Sequence, residues 1–223
     1  MKRMGVLAMA CAAALTVACN SNARTDNRTD TEVVGTAGEA ERNAVQDSDK
    51  DFVNQLLSGG MAEVELGRMA SERAVHPDVK KFGQMMVDDH TKAGNELKEI
   101  AARFGIPTAP QIDEKHRDLM EKLSKLRGNE FDRDYIDAMV DGHQHVVDEL
   151  ESRVDSTASL KDRVTNNEAT ENQVAPEKTD NAPKAAVNAW VAMVLPTVRL
   201  HLDEAKRLDS QLDRREVGKS TRK

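Results

Sequence analysis

The fold is decided by the stretch from Gly59 to Gly105, which reads GGMAEVELGRMASERAVHPDVKKFGQMMVDDHTKAGNELKEIAARFG. It predicts two long helices that fold back on each other at His76-Pro77, because proline starts a helix well and a glycine commonly ends one. Apolar residues recur every three or four positions on both sides of that turn, so each helix has one apolar face. We therefore expect an antiparallel helix pair.

One polar residue interrupts each of these apolar faces. Glu63 interrupts the first and His90 the second. Both lie about 13 residues from the turn, or about 20 Å at the rise of an α-helix. In an antiparallel pair the two side chains would meet at the same level.

Three further helices are predicted from the same period: a short one over 111–126, a long one over 129–154 and a last one over 184–212. Pro196 should kink or break the last helix. Only 3% of the 223 residues are aromatic, and no strand pattern is present. With the first helix over about 50–75, four long helices and one short helix indicate an all-α, up-down four-helix bundle.

The first residues have the features of a lipoprotein signal. A basic start and an apolar run too short to span a bilayer predict a signal peptide over 1–18. The segment LTVAC, which ends at Cys19, resembles a bacterial lipobox, and that resemblance implies a lipid anchor on Cys19. The alternative is an ordinary signal peptide on a freely secreted protein.

The remaining chain divides by composition. Residues 19–49 are polar and aperiodic, which predicts a disordered tether, and 50–212 form the helical domain. Within that domain 155–183 is expected to be a flexible insertion, and 213–223 is a polar tail. Asn20 after the lipobox, where aspartate would retain the protein at the inner membrane, implies the outer membrane, facing the periplasm.

Several function classes are excluded. A net charge of −7 leaves no basic surface for nucleic acid. Without Cys11, which lies in the signal peptide, the mature chain keeps only Cys19, so the domain has no disulfide and no thiolate metal site. P-loop, dinucleotide-binding and serine-hydrolase motifs are absent from the sequence. The sequence is compatible with a protein partner and does not identify one.

Each long helix carries one polar interruption near its middle, so a bundle would bring four side chains into one cross-section of its core. The four residues are Glu63, His90, His143 and His201. Imidazole suits zinc, copper, iron and nickel, so the pattern predicts a mononuclear metal site. The carboxylates expected to orient the imidazoles are Asp89, Asp141 and Glu204. The alternative is a buried polar layer that fixes helix register and binds nothing.

Four segments carry a resemblance to a known family. They are GGMAEVELGRMASERA, VKKFGQMMVDDHTKAGNELKEIAARFGI, GNEFDRDYIDAMVDGHQHVVDEL and LPTVRLHLDEAKRL. Together they resemble the domain of unknown function 4142 family, whose members are labelled outer-membrane proteins with a ferritin-like helical fold. The resemblance implies a periplasm-facing helical domain and supplies no reaction.

The sequence departs from the di-iron pattern of ferritin-like proteins, which needs a glutamate three residues before a histidine. Val87, Val140 and Val198 stand at those places, so ferroxidase or iron-storage activity is not expected. Two functions follow. The first is a non-enzymatic envelope lipoprotein with a binding, structural or stress-related role. The second is a mononuclear metal-binding or redox protein.

Overall fold

The computed structural model describes residues 43–155 and 174–220, with side chains described as far as Arg214. Within these ranges the chain is almost entirely helical, so the all-α prediction is confirmed. The helices are α1 (Asp47–Arg73), α2 (Pro77–Phe104), α3 (Glu114–Lys125), α4 (Gly128–Glu151) and α5 (Ala182–Ser220). The predicted signal peptide, Cys19 and most of the tether lie outside the described residues.

The turn between α1 and α2 is fixed by a buried carboxylate of α4. Asp132 accepts hydrogen bonds from the backbone N–H groups of Val75, at 3.0 Å, and His76, at 2.7 Å. The His76 ring caps α2, because its Nδ1 accepts the N–H of Asp78 at 3.1 Å, and Pro77 follows in the first turn. The predicted helix pair is thus held in place by a third helix.

Two glycines let α1 and α2 approach until their backbones touch. A Cβ atom on Gly83 would lie 2.7 Å from the carbonyl oxygen of Gly67 and 2.8 Å from the Cβ of Ala70. Side chains at this crossing would force the helices apart. Because Gly67 lies one helical turn from Glu63, the close approach also sets the separation of the helices at the predicted site.

The apolar side chains form two separate cores. The first core consists of Phe52, Val53, Leu57, Leu97, Ala101, Ile106, Val147, Leu150, Val187, Trp190, Val191, Leu195, Val198 and Leu202. The second core consists of Leu66, Ala70, Ala74, Val79, Phe82, Met86, Leu123, Phe131, Tyr135, Ile136, Met139, Ala205, Leu208 and Leu212. The first core takes the early parts of α1 and α5 and the late parts of α2 and α4. Therefore α1 and α5 run one way, and α2 and α4 run the other.

The connection from α2 to α4 explains why these two helices are parallel. Residues 105–127, which include α3, carry the chain from the first core back to the second, where Leu123 of α3 is buried. The predicted alternation of direction holds within the pairs α1/α2 and α4/α5. It does not hold from α2 to α4.

The ends of the predicted insertion form a short ribbon. β1 (Val154–Asp155) pairs antiparallel with β2 (Ala175–Pro176). The sequence predicts no strand, and two residues are too few to show an alternating pattern. Residues 156–173 lie outside the described part of the chain, and α5 starts inside the predicted insertion.

The start of α1 is anchored by a buried ion pair. The Asp49 carboxylate is 1% exposed and lies 2.6 Å from the guanidinium of Arg153, whose plane covers the ring of Phe52 at 4.1 Å. Asp49 lies at the end of the predicted tether. In the structure it belongs to the first turn of α1, and Gln46 occupies the N-cap without a side-chain bond.

The last helix, α5, continues through Pro196 without a break and extends past the predicted end at Leu212. Among the described helices, its Ala182–Arg214 part is long and apolar enough to cross a membrane by length and composition alone. Half of its most apolar window is buried inside the molecule, as expected for a core helix.

Candidate metal centre

A polar layer separates the two cores, and the four predicted site residues meet there. Each comes from a different helix: Glu63 from α1, His90 from α2, His143 from α4 and His201 from α5. The centroids of the three imidazole rings lie 5.4–5.7 Å apart. His143 and His201 are fully buried, and the His90 side chain is 12% exposed.

Glu63 accepts a hydrogen bond from one imidazole and lies close to a second. Its Oε2 lies 3.0 Å from Nδ1 of His90, and its Oε1 lies 3.6 Å from Nδ1 of His143. Nδ1 of His143 also lies 2.9 Å from the carbonyl oxygen of Met139, one turn earlier on α4. Because carboxylate and carbonyl oxygens only accept, both Nδ1 atoms carry the proton.

The third imidazole is held across a helix interface. Nε2 of His201 donates to Oδ2 of Asp89 at 2.8 Å. Asp89 is expected from the sequence to orient an imidazole, and it contacts that of His201 on α5, not its neighbour His90. The Nε2 proton leaves Nδ1 of His201 as the atom with a free lone pair.

The opposite nitrogen of each ring has no hydrogen-bond partner among the described residues. These buried atoms are Nε2 of His90, Nε2 of His143 and Nδ1 of His201. One nitrogen from each of the three rings lies within 4.8 Å of the others. Buried polar atoms are rarely left unpaired, so three of them on neighbouring rings need an explanation.

The layer keeps a negative charge on Glu63. Burial alone would raise its pKa, but the nearby His90, His143 and His201 lower the pKa of Glu63 to about 2. Glu63 is therefore a carboxylate throughout the neutral range. It can accept from the imidazoles and balance positive charge placed between them.

Two of the imidazoles are neutral at neutral pH. Burial lowers the pKa of His143, and it lowers the pKa of His201 to about 4 despite the Asp89 hydrogen bond. Burial also acts on His90, but the charge and hydrogen bond of Glu63 outweigh it and raise the His90 pKa. A neutral imidazole is the form that binds a metal. Of the three rings, His90 is therefore the one on which a proton competes most strongly with a metal ion.

The remaining predicted residues lie elsewhere. Asp141 is exposed, and Glu204 accepts from Arg207 on its own helix at 2.6 Å, so neither contacts the three imidazoles. The sequence groups Glu63 with the ligands. In the structure both of its oxygens face ring nitrogens that carry protons, which leaves Glu63 an orienting contact.

Beside the polar layer lies a cavity of about 450 Å³ that the sequence does not predict. Glu63, Asp89, His90 and His201 belong to its lining. Most of the lining surface is apolar, and the first core contributes to it with residues that include the single tryptophan, Trp190. Polar residues such as Gln55, Glu96 and Glu149 also line the cavity. Its indole N–H is a further buried group without a partner in the described structure.

A sequence signal for this cavity exists in the helix glycines. Gly59, Gly94 and Gly142 lie inside three helices, although glycine weakens a helix relative to alanine. Gly59 is four residues before Glu63, and Gly94 is four residues after His90, so both lie one turn from the site toward the same core. Glycines at these positions indicate open space next to the site.

Comparison with known proteins identifies a family. The model of a family described as "Domain of unknown function (DUF4142)" matches residues 34–170, which is more than half of the chain. The match includes α1 to α4 with Glu63, His90 and His143, and it ends before α5 and His201. No curated protein and no solved structure matches the chain.

Proposed function

The chain belongs to the domain of unknown function 4142 family, and we propose that it binds one divalent transition-metal ion through His90, His143 and His201. The observation that carries this proposal is the set of three buried ring nitrogens without partners. On a neutral imidazole, the nitrogen opposite the N–H has a lone pair. The lone pairs of His143 and His201, together with that of His90 once a metal displaces its proton, are available to one cation between the rings.

A purely structural polar layer fits these atoms less well. Such a layer stabilises one helix register when all of its members are hydrogen-bonded to each other. Here the contacts to Glu63, Met139 and Asp89 satisfy only one side of each ring. The ring nitrogens without a hydrogen-bond partner favour metal binding over a structural or stress-related role.

The ion that suits the site best is zinc. Three histidines with one open position form a known type of zinc site, with Zn–N distances of about 2.0–2.1 Å and ligand nitrogens therefore about 3.3 Å apart. One nitrogen of each ring already lies within 4.8 Å of one nitrogen of the other two, so a shift of each ring by about 1 Å would bring three nitrogens to this spacing. Copper, nickel and iron also accept imidazole ligands and are alternatives to be measured.

The hydrogen bonds on the opposite nitrogen of each ring would orient the imidazoles for the ion. Metal-bound histidines usually donate their other N–H to a carboxylate or a carbonyl, which fixes the ring orientation. Glu63, Asp89 and the carbonyl of Met139 supply such acceptors. The two carboxylates also offset the charge of a divalent ion in a buried place.

Elemental analysis tests the proposal. The chain, purified without an affinity tag, is incubated separately with zinc, copper, nickel and ferrous iron, desalted and analysed. We expect close to one equivalent of zinc, and its loss when His90, His143 and His201 are all replaced by alanine. His145→Ala is the matched control, because this exposed histidine of α4 lies outside the cluster. Circular dichroism spectra of the parent chain and the variants should match, which shows that all of them are folded. If the folded parent chain binds none of the four ions, the proposal fails.

We further propose an envelope lipoprotein with a ferritin-like helix arrangement. The arrangement is supported by the directions of the long helices, which run up, down, down and up with a long connection in the middle. A lipid anchor on Cys19 rests on the lipobox-like LTVAC segment, and an outer-membrane location, facing the periplasm, rests on Asn20, which follows it. Labelling cells with a radioactive fatty acid tests the anchor: the label should be incorporated and should disappear in Cys19→Ser. A parent chain that takes up no label contradicts it.

A further inference from the structure

The cavity beside the histidines is open at the surface and polar at its inner end. Exposed residues such as Lys92, Lys115 and Met193 line it together with buried ones. Its polar end holds His90 and His201. A molecule inside it would therefore be in reach of both apolar side chains and the imidazoles.

Three helix glycines keep this cavity empty of side chains. A Cβ atom built on Gly59, Gly94 or Gly142 meets no atom within 4 Å, and all three residues line the cavity. This differs from Gly67 and Gly83, where the neighbouring helix excludes a side chain. Packing does not require glycine at the three positions, although glycine weakens a helix relative to alanine. The glycines therefore leave open space beside the histidines.

The lining also contains a buried donor that lacks a partner. Trp190 is only 5% exposed, and its indole N–H bonds to no described residue. Buried polar groups normally have a hydrogen-bond partner. Because this nitrogen has almost no exposed surface, an acceptor on a bound molecule would reach it only after the indole turns toward the cavity.

We infer that the cavity binds a small molecule with an apolar body and a headgroup that coordinates the metal. This inference rests on the proposed metal site, in which three histidines leave one coordination position for an outside ligand. A volume of about 450 Å³ is typical of pockets for small molecules, and at about 30 Å³ per non-hydrogen atom it admits about 15 such atoms. The apolar body would lie against Leu56, Leu97, Val146 and Leu150.

Alkyl hydroxamates are suitable probes, because their headgroup binds zinc and their tail length can be varied. Octanohydroxamate and acetohydroxamate share the headgroup and differ in the tail. Binding to the zinc-loaded chain is followed by the fluorescence of Trp190, the only tryptophan of the sequence. Coordination is followed separately on the cobalt-loaded chain by its visible absorption. We expect octanohydroxamate to bind at least about tenfold more tightly than acetohydroxamate, since apolar area is buried by the tail.

Matched substitutions place the probe in the cavity. Gly94→Leu should weaken octanohydroxamate binding at least about tenfold, because its side chain fills the space that the tail needs. It should leave zinc content and acetohydroxamate binding unchanged. Gly94→Ala adds only one carbon at the same position and is the control. Gly59→Leu and Gly59→Ala repeat the comparison on α1 in case one leucine variant does not fold.

The outcomes separate this inference from the metal proposal. If zinc binds but the tail gives no advantage, or the leucine variants change nothing, the inference is overturned while the metal site stands. Tight binding of octanohydroxamate to the metal-free chain, equal to that of the zinc-loaded chain, overturns coordination by the headgroup. If zinc does not bind at all, the metal proposal fails and coordination fails with it.

Discussion

Two glycines of α2 should respond in opposite directions to the same substitution. Gly83 faces the backbone of α1, whereas Gly94 faces the cavity. A Cβ atom on Gly83 would lie 2.7 Å from the Gly67 carbonyl oxygen, 2.8 Å from the Cβ of Ala70 and 2.8 Å from the backbone nitrogen of Ser71. A Cβ atom on Gly94 would meet nothing within 4 Å.

The sizes of the two effects follow from these contacts. Replacing glycine by alanine inside a helix gains about 1 kcal/mol of helix propensity, and at Gly94 nothing opposes that gain. At Gly83 the new atom overlaps the α1 backbone, and overpacking typically costs about 1–3 kcal/mol. We therefore expect Gly94→Ala to stabilise the chain by about 1 kcal/mol. Gly83→Ala should destabilise it, to a net loss of up to about 2 kcal/mol.

Urea denaturation followed by circular dichroism measures both free energies of unfolding. Zinc affinity should also fall in Gly83→Ala, because the wider separation of α1 and α2 moves Glu63 away from His90. Equal stabilisation by both substitutions would show that α1 and α2 do not touch at Gly67 and Gly83. The contact between α1 and α2 would then not set the separation of Glu63 and His90.

Other substitutions and conditions test single contacts of the site and of the fold. Asp89→Asn should lower zinc affinity about 10- to 100-fold in calorimetry, because His201 loses its orienting carboxylate; unchanged affinity would contradict that role. The metal-free chain should lose stability as the pH falls from 7 to 4, because the folded His201 has a pKa lowered to about 4 while unfolded histidine binds its proton near 6.5. Urea denaturation with chelator measures this loss, and His201→Gln should reduce it by about 3 kcal/mol; a variant with the same pH slope would refute the assignment. Arg153→Ala should lower the free energy of unfolding by about 3–5 kcal/mol, because it leaves the buried Asp49 carboxylate unpaired. Adding Asp49→Asn should restore part of this loss, and a double variant without any recovery would contradict the role of the pair.

The meeting of four side chains could be predicted because helix geometry is regular. A constant rise along α1 and α2 makes equal sequence distances from one turn into equal heights, so Glu63 and His90 reach contact at 3.0 Å. The interruptions in the apolar faces of α4 and α5 point inward for the same reason. Local periodicity was sufficient for these placements.

The roles within the site depend on helix rotation, which periodicity does not define closely enough. Asp89 follows Asp88 and precedes His90, yet it reaches His201 on α5 because of how α2 and α5 turn toward each other. A rotation of α1 by a few degrees about its axis also decides whether Glu63 would contact an ion or the proton-bearing side of a ring. Sequence alone therefore groups Glu63 with the ligands.

Long-range contacts set the features that the sequence did not predict. The ion pair of Asp49 with Arg153 joins residues more than a hundred positions apart, and neither stands out locally. The parallel course of α2 and α4 depends on how residues 105–127 cross the molecule. The cavity arises because glycines from three helices lie beside the same space, and a single helix pattern does not show that coincidence.

Anomalous diffraction at the zinc absorption edge, from crystals of the zinc-loaded chain, tests the metal site most directly. We predict one peak in the polar layer, about 2.0–2.1 Å from each of three nitrogens: Nε2 of His90, Nε2 of His143 and Nδ1 of His201. Glu63 and Asp89 should remain on the opposite nitrogens. The absence of a peak there, or coordination through Glu63 with the rings turned, would contradict the assignment.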